Sequence, residues 1–194
     1  VLAEAGADRL FIADSGNHRV AVAALSTGEV LHVIGGPEPG LEDGDFETAR
    51  FRMRSITIHD AFKDYDAVMS SREHLWRRFG EVWGWPAPDL TLEQNIVDLG
   101  WHQKEFQLRS SFDYAVMSLD ESRLLGCVYV DPPHLDGTGA DVWYWVRASE
   151  LSSGLDEELG AFLRRWLATA WPFAAVAING ERVTLAGDPG EGRR

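Results

Sequence analysis

The chain has 194 residues, 45% of them hydrophobic and 11% aromatic, enough for one packed domain, or one with an appendage, and too apolar for global disorder. Its formal net charge of -13, without any cluster of Lys and Arg, excludes the phosphate-neutralising surface of a nucleic-acid binder. The pairs Arg77-Arg78 and Arg164-Arg165 read as solvated helix faces.

The single cysteine, Cys127, lies in the apolar run "LLGCVYV", so no disulfide framework forms and a reducing, cytoplasmic setting is expected. No apolar run reaches the roughly 18 residues of a membrane span, and no signal-like n-region and h-region open the chain. It begins at Val1 rather than methionine, as a fragment or processed form does.

Residues 1 to about 45 read as short strands and turns. "RLFIAD" and "HRVAVAAL" flank the turn Ser15-Gly16-Asn17, Thr27-Gly28 precedes "EVLHVIGG", and "GPEPGLEDGD" is an acidic loop. The result is a three-stranded meander, marginal by itself. "LFIADSGNHRVAV", "LSTGEVLHVIGG" and "GLEDGDFETARF" resemble one repeat of the NHL family of β-propellers, with Asn17-His18-Arg19 at the hallmark position. Propellers need several blades, and no second copy follows at a period of roughly 40 to 50 residues. Two readings stand: a structural remnant, or a module for protein contact through residues 1–45.

From Phe46 the pattern becomes mixed α and β. "FRMRSITI" suits a strand, and "KDYDAVMSSREHLWRRFG" sets Tyr65, Val68, Met69, Trp76 and Phe79 along one side of a helix. The loop "VWGWPAP" interrupts it. Thr91 with Gln94 is a capping box opening the helix "LEQNIVDLGWHQKEFQL". The strands "FDYAVMS", "LLGCVYV" and "DVWYWV" follow, joined by "LDES" and "DPPHLDGTGA". In the next helix Leu155, Leu159, Phe162, Leu163, Trp166 and Leu167 recur at helical spacing, the strongest periodicity in the chain. "PFAAVAI" is a strand, and Asn179-Gly180 is a type I′ turn into "ERVTL".

This order, β-α-α-β-β-β-α-β with a terminal hairpin strand, resembles the GNAT superfamily of N-acyltransferases over about residues 46–180. The expected fold is α+β: a mixed, mostly antiparallel central sheet flanked by helices, preceded by a small β-meander. The expected division is 1–45, an incomplete NHL-like blade, and 46–194, a GNAT-like domain.

The resemblance implies acetyl-CoA as cofactor and an amine acceptor, with neither nucleic acid nor membrane as partner. GNAT enzymes hold the coenzyme pyrophosphate in a Q/R-x-x-G-x-G/A loop, where glycines let the backbone approach and a helix N-terminus points at the anion. Here Leu151, Gly154 and Asp156 fall at the three marker positions, so one glycine survives. The coenzyme reading assigns backbone donors at Trp145 and Val146, phosphate contacts to Arg147, Ser152 and Ser153, and the helix start to Gly154 and Leu155. The competing reading is a plain core helix capped by Ser153, with Asp156 closing the box.

Acyl transfer to an amine also needs a base. Asp141, Tyr144 and Glu150 are the titratable residues near the fourth strand of the resemblance, and position does not choose among them. The family's usual acid, a tyrosine on a helix after the fifth strand, has no counterpart in "INGERVTLAGDPGEGRR". The histidines of this part sit in separate elements, so no metal site is expected. The Trp83-Gly84-Trp85-Pro86 loop is placed to roof an acceptor pocket or to close over the core. Two functions follow: a GNAT-type N-acyltransferase of a small-molecule amine, or a catalytically inactive GNAT-fold binding or scaffold protein.

Overall fold

A computed structural model describes residues 2–3, 10–14, 19–24, 26–27, 30–35 and 46–185. The turn at Ser15-Gly16-Asn17, His18, Gly28, the acidic loop and the tail after Leu185 lie outside the described residues. The chain divides into two compact units, residues 1–44 and 45–194.

The first unit is an antiparallel sheet in the order β1 (Leu2–Ala3), β2 (Leu10–Asp14), β3 (Arg19–Ala23) and β4 (Val30–Gly35). Four strands lie among the described residues where the sequence suggests three; the short β1 pairs with Phe11 and Leu10.

The second unit is α+β. Its elements are β5 (Phe46–Glu47), β6 (Arg52–Ser55), α1 (Ala61–Ser70), α2 (Arg72–Trp83), α3 (Leu92–Leu108), β7 (Phe112–Met117), β8 (Leu124–Asp131), β9 (Asp141–Val146), α4 (Leu155–Ala170), β10 (Ala175–Ile178) and β11 (Glu181–Thr184). The seven strands lie in the order β11-β10-β9-β8-β7-β6-β5. All pairs are antiparallel except β9 with β10.

The two-residue alternation of strands sorts the core into two halves. Tyr114, Val116, Val128, Val142 and Tyr144 face α4, which returns Leu155, Leu159, Leu163, Trp166 and Leu167. Ala115, Met117, Cys127 and Trp145 face the other way, onto Val68, Leu75, Phe79 and Leu99 of α1 to α3. Each fully buried leucine of α4 contributes about 2 kcal/mol, which is why the strongest periodicity marks the helix with the largest apolar stripe.

Gly126 is required where β8 meets β9. A Cβ there would come within 2.0 Å of the Trp145 carbonyl oxygen. At the far end, Asn179 (φ 50°) and Gly180 (φ 83°) make the tight β10–β11 turn, both in the left-handed region that the type I′ turn demands.

The helix expected over residues 63–80 is two helices. Ser71 leaves helical geometry (φ -117°, ψ 9°), and its N–H donates to Val68 O at 3.0 Å. The Ser71 hydroxyl accepts the Ala148 N–H at 3.0 Å, and Ser70 Oγ accepts from Arg147 at 3.2 Å. The break is therefore the seat of the segment leaving β9. It also turns the expected apolar stripe: Leu75 is fully buried, while Trp76 is 46% exposed.

Candidate functional site

Two neighbouring features compose the site: the free edge of β9 with the start of α4, and a cleft on the opposite face of the sheet.

β10 accompanies β9 only at Ala177↔Asp141 and Ile178↔Val142. The Asn179 N–H still donates to Val142 O at 2.9 Å, and its Oδ1 accepts the Tyr144 N–H at 3.3 Å; there β10 turns away into β11. On the other side, the Arg147 N–H donates to Leu125 O at 2.7 Å. By the antiparallel alternation, the amides of Trp145 and Trp143 then also face β8, and those of Tyr144 and Val146 face the open edge. The Trp145 side chain is fully buried and its indole N–H donates to Tyr129 OH at 3.0 Å. Because Asn179 takes the Tyr144 N–H, the amide this edge leaves for a ligand is that of Val146, not of Trp145.

The segment after β9 is a 3-10 turn over Ala148–Ser153, ended by Gly154 with φ 74°. Capping by Ser153 with Asp156 does not occur. Ser153 Oγ donates to Glu150 O at 2.7 Å, Gly154 holds the N-cap position, and Asp156 pairs with Arg78 at 2.9 Å. Arg147, expected to reach outward to phosphates, turns inward. Its guanidinium donates to Asp66 at 2.7 Å, Ser70 at 3.2 Å and Leu124 O at 2.5 Å. Ser152 is exposed and Leu155 is buried in the core.

Two arginines flank this helix start. The sequence suggests no role for Arg50; Arg78, expected on a solvated helix face, has its side chain 20% exposed and turned onto Asp156. Arg50, on the β5–β6 turn, donates to Ser153 O at 3.2 Å, Ser153 Oγ at 2.8 Å and Glu158 at 2.8 Å. Arg78, on α2, lies 4.8 Å over the Tyr144 ring. Their distance along the chain, about a hundred residues for Arg50, hid them; the long-range pairing of β6 with β7 brings Arg50 in.

The residues fit a pyrophosphate in this respect. The first amides of α4, at Leu155 to Glu157, have no partner inside the helix. A Cβ on Gly154 would meet only the Glu157 carboxylate, at 3.8 Å, so its backbone can be approached. The pairs Arg50–Glu158 and Arg78–Asp156 are partly exposed, and such pairs contribute about 1 kcal/mol or less, so both arginines can exchange a carboxylate for a phosphate. Nearby, His74 Nε2 is buried with no hydrogen-bond partner among the described residues. Burial first, and then Arg78, hold that imidazole's pKa below its ordinary value.

The three titratable candidates separate. Tyr144 packs under α4, where a Cβ on Gly160 would meet its hydroxyl at 2.5 Å; burial, then Asp156, push its phenol pKa up. Asp141, at the far end of β9, accepts from the His134 N–H at 3.2 Å and lies 2.9 Å from His134 Nδ1 through Oδ2. Its Oδ1 is buried without a partner among the described residues. Glu150 lies beyond the other end of β9, 3.4 Å from Arg123.

The cleft has a volume of about 480 Å³. Trp83, Trp85, Trp101 and Tyr129 form its aromatic walls. Asp64, Asp98, Glu105, Asp113 and Asp131 supply its carboxylates. His102 Nδ1 lies 2.9 Å from Asp113 Oδ2. Burial opposes charge on His102, but the Asp113 carboxylate outweighs it and the imidazole pKa is raised. Asp64 accepts from Asn95 Nδ2 at 2.9 Å and from the buried Cys127 thiol at 3.5 Å. Burial drives the Asp64 carboxyl pKa up and the Cys127 thiol pKa well up, so that thiol is no nucleophile. His102 and Glu105 stand three apart on α3, so they share a face; that spacing was the available signal for this cluster.

No protein-family model matches the chain. Over 51 residues it is 47% identical to NHL repeat-containing protein 2 of Gallus gallus, and over 44 residues 48% identical to the Homo sapiens protein of that name. Those matches take 26% and 23% of this chain, which spans only 7% and 6% of the two relatives. Among solved structures, the chain resembles the ribosomal-protein-S5-alanine acetyltransferase of Vibrio fischeri. The TM-score is 0.56 at 18% identity, covering 70% of this chain and 73% of that one. It also resembles the microcin C7 self-immunity acetyltransferase MccE, a structure holding acetyl-CoA and AMP. There the TM-score is 0.53 at 13% identity, covering 68% and 69%. No helix among the described residues is long and apolar enough to cross a membrane. The chain thus has the GNAT acetyltransferase fold, together with a partial sequence similarity to an NHL-repeat protein.

Proposed function

We propose that the chain is an acetyl-CoA-dependent N-acyltransferase acting on a small-molecule amine. The observation that carries this reading is the parting of β9 from β10 beside the start of α4, which leaves the Val146 amide facing an open edge. Arg50, Arg78 and the first amides of α4 would hold the coenzyme phosphates, and the backbone at Val146 would line the arm. Bound there, the coenzyme supplies an activated acyl thioester.

The chain's own groups divide the proton work. A tyrosine phenol is protonated at neutral pH, with an ordinary pKa of about 10 that burial raises further in Tyr144, so Oη has a proton to give to a leaving thiolate. Asp141 Oδ1 is buried and unpartnered among the described residues, but it stands about 16 Å of strand from Val146, so it could take a proton from the amine only through intervening water. Glu150 is the third candidate, and its pairing with Arg123 makes it the least available. Measuring free-thiol release from acetyl-CoA across a panel of primary amines tests the reading. Amine-dependent release that falls at least tenfold in Tyr144→Phe supports it; no release with any amine counts against it.

A second reading has its own support. Asp156, Glu157 and Glu158 crowd the first turn of α4, where negative charge opposes an anion. A GNAT-fold protein that binds ligands without catalysis would tolerate that crowding. Contact with other proteins through residues 1–45 is a further proposal; deleting that segment without loss of any interaction would dispose of it.

A further inference from the structure

The cleft carries five carboxylates, and no lysine or arginine is among its lining residues. Asp64 is nearly fully buried and is held by neutral donors, Asn95 and Cys127. Asp131 takes its hydrogen bond from the Ser111 hydroxyl at 2.6 Å. Only His102 supplies positive charge inside the cleft, and Asp113 already claims it. Burial favours the neutral forms of Asp64 and Asp131, but the lining still sets five carboxyls against one imidazole. A cationic guest relieves that excess of acid, most directly beside the exposed Asp98.

The walls choose the kind of cation. Trp83, Trp85 and Trp101 present indole rings, whose faces attract ammonium and guanidinium groups. At the rim, Lys104 Nζ stands 4.6 Å over the Trp101 ring, so a guest there takes the place of the exposed lysine. A bare metal ion gains nothing from such walls. His102, Glu105 and Asp113 bring donor atoms within 4.8 Å of one another, but the imidazole Nδ1 is taken up by Asp113. The volume of about 480 Å³ suits a small molecule.

We propose that this cleft binds an organic cation: an ammonium- or guanidinium-bearing small molecule with a flat apolar body. The charge lies among the carboxylates and the body lies against the tryptophans. Binding of the cation stands on the cleft alone. Only the further step, that the bound cation is the acceptor, rests on the transferase reading.

The test uses the full chain without coenzyme and three probes: benzyltrimethylammonium, benzylamine and the neutral benzyl alcohol. Calorimetric titration should show both cations binding at least tenfold more tightly than the alcohol, with affinity falling as salt is raised. Asp98 and Trp101 are exposed, so Asp98→Asn and Trp101→Ala should leave the fold intact while each weakens the cations about fivefold. Equal affinity for the alcohol, or cation binding indifferent to both substitutions, overturns the proposal. So does Zn²⁺ binding that His102→Ala abolishes while neither organic cation binds, since that makes the cluster a metal site. Because benzyltrimethylammonium cannot be acylated, its binding survives a failure of the transferase reading. Its absence leaves acetyl-CoA binding at α4 to be judged separately.

Discussion

The Arg78 guanidinium lies 2.9 Å from the Asp156 carboxylate and 4.8 Å over the Tyr144 ring, so one side chain of α2 ties the start of α4 to the open edge of β9. If phosphates are to displace Asp156 from Arg78, that carboxylate competes with them. Asp156→Ala should therefore tighten acetyl-CoA binding about two- to fivefold, the effect of one charge at a helix N-terminus. Arg78→Ala should weaken it at least tenfold. Equilibrium titration of the two variants checks both signs.

Arg147 is a tie between layers rather than a ligand contact. It joins β9 to α1 through Asp66 and Ser70 and to β8 through the Leu124 carbonyl. Asp66 is largely exposed, so Arg147→Ala strands chiefly the buried Leu124 carbonyl and should cost about 1–3 kcal/mol, read from denaturant unfolding. Arg50→Ala, on a partly exposed pair, should cost less than about 1 kcal/mol yet weaken acetyl-CoA binding.

Gly126→Ala should be among the most damaging single-methyl changes in the molecule. Its Cβ would stand 2.0 Å from the Trp145 carbonyl oxygen, so β8 and β9 must separate locally. A loss of about 3 kcal/mol is expected. A variant of unchanged melting temperature would show that the two strands are not so closely apposed.

How much of this was legible in the sequence varies with the range of the interaction. The α4 stripe, the Thr91–Gln94 capping box and the Asn179-Gly180 turn rest on contacts within a few residues, and each forms as read. The Ser71 break was not legible, because Ala148 and Arg147, more than seventy residues away, hold it. The same limit hid Arg50 and Arg78, whose roles at α4 depend on which strands and helices become neighbours. The Trp83-Gly84-Trp85-Pro86 loop leaves two uses open in the sequence, and its tryptophans both line the cleft and pack on the core, Trp83 stacking on the buried Phe79. His102 and Asp113 were missed as a pair because α3 and β7 meet only through the fold.

The His102–Asp113 pair gives the stability a pH dependence of definite sign. The folded-state pKa of His102 is raised, so its contribution is full below the ordinary histidine value of about 6.5 and is lost as pH rises through the raised value. Asp64 and Asp131, whose carboxyl pKa values are also raised, act in the same direction, but above about 4, across the carboxylate range. His74, whose pKa is lowered, acts in the opposite direction over the histidine range, so the His102 contribution is read as a difference. Across that range the parent chain should lose melting temperature relative to His102→Gln. A fall of equal size in His102→Gln would assign it elsewhere.

The central claim is that the start of α4 and the open edge of β9 receive a coenzyme thioester despite the acids around them. Calorimetric titration of the chain with acetyl-CoA measures this directly. The account predicts saturable one-to-one binding in the micromolar range, weakened in Arg50→Ala and Arg78→Ala. No heat at high micromolar concentrations, in the parent chain and in Asp156→Ala alike, would contradict it.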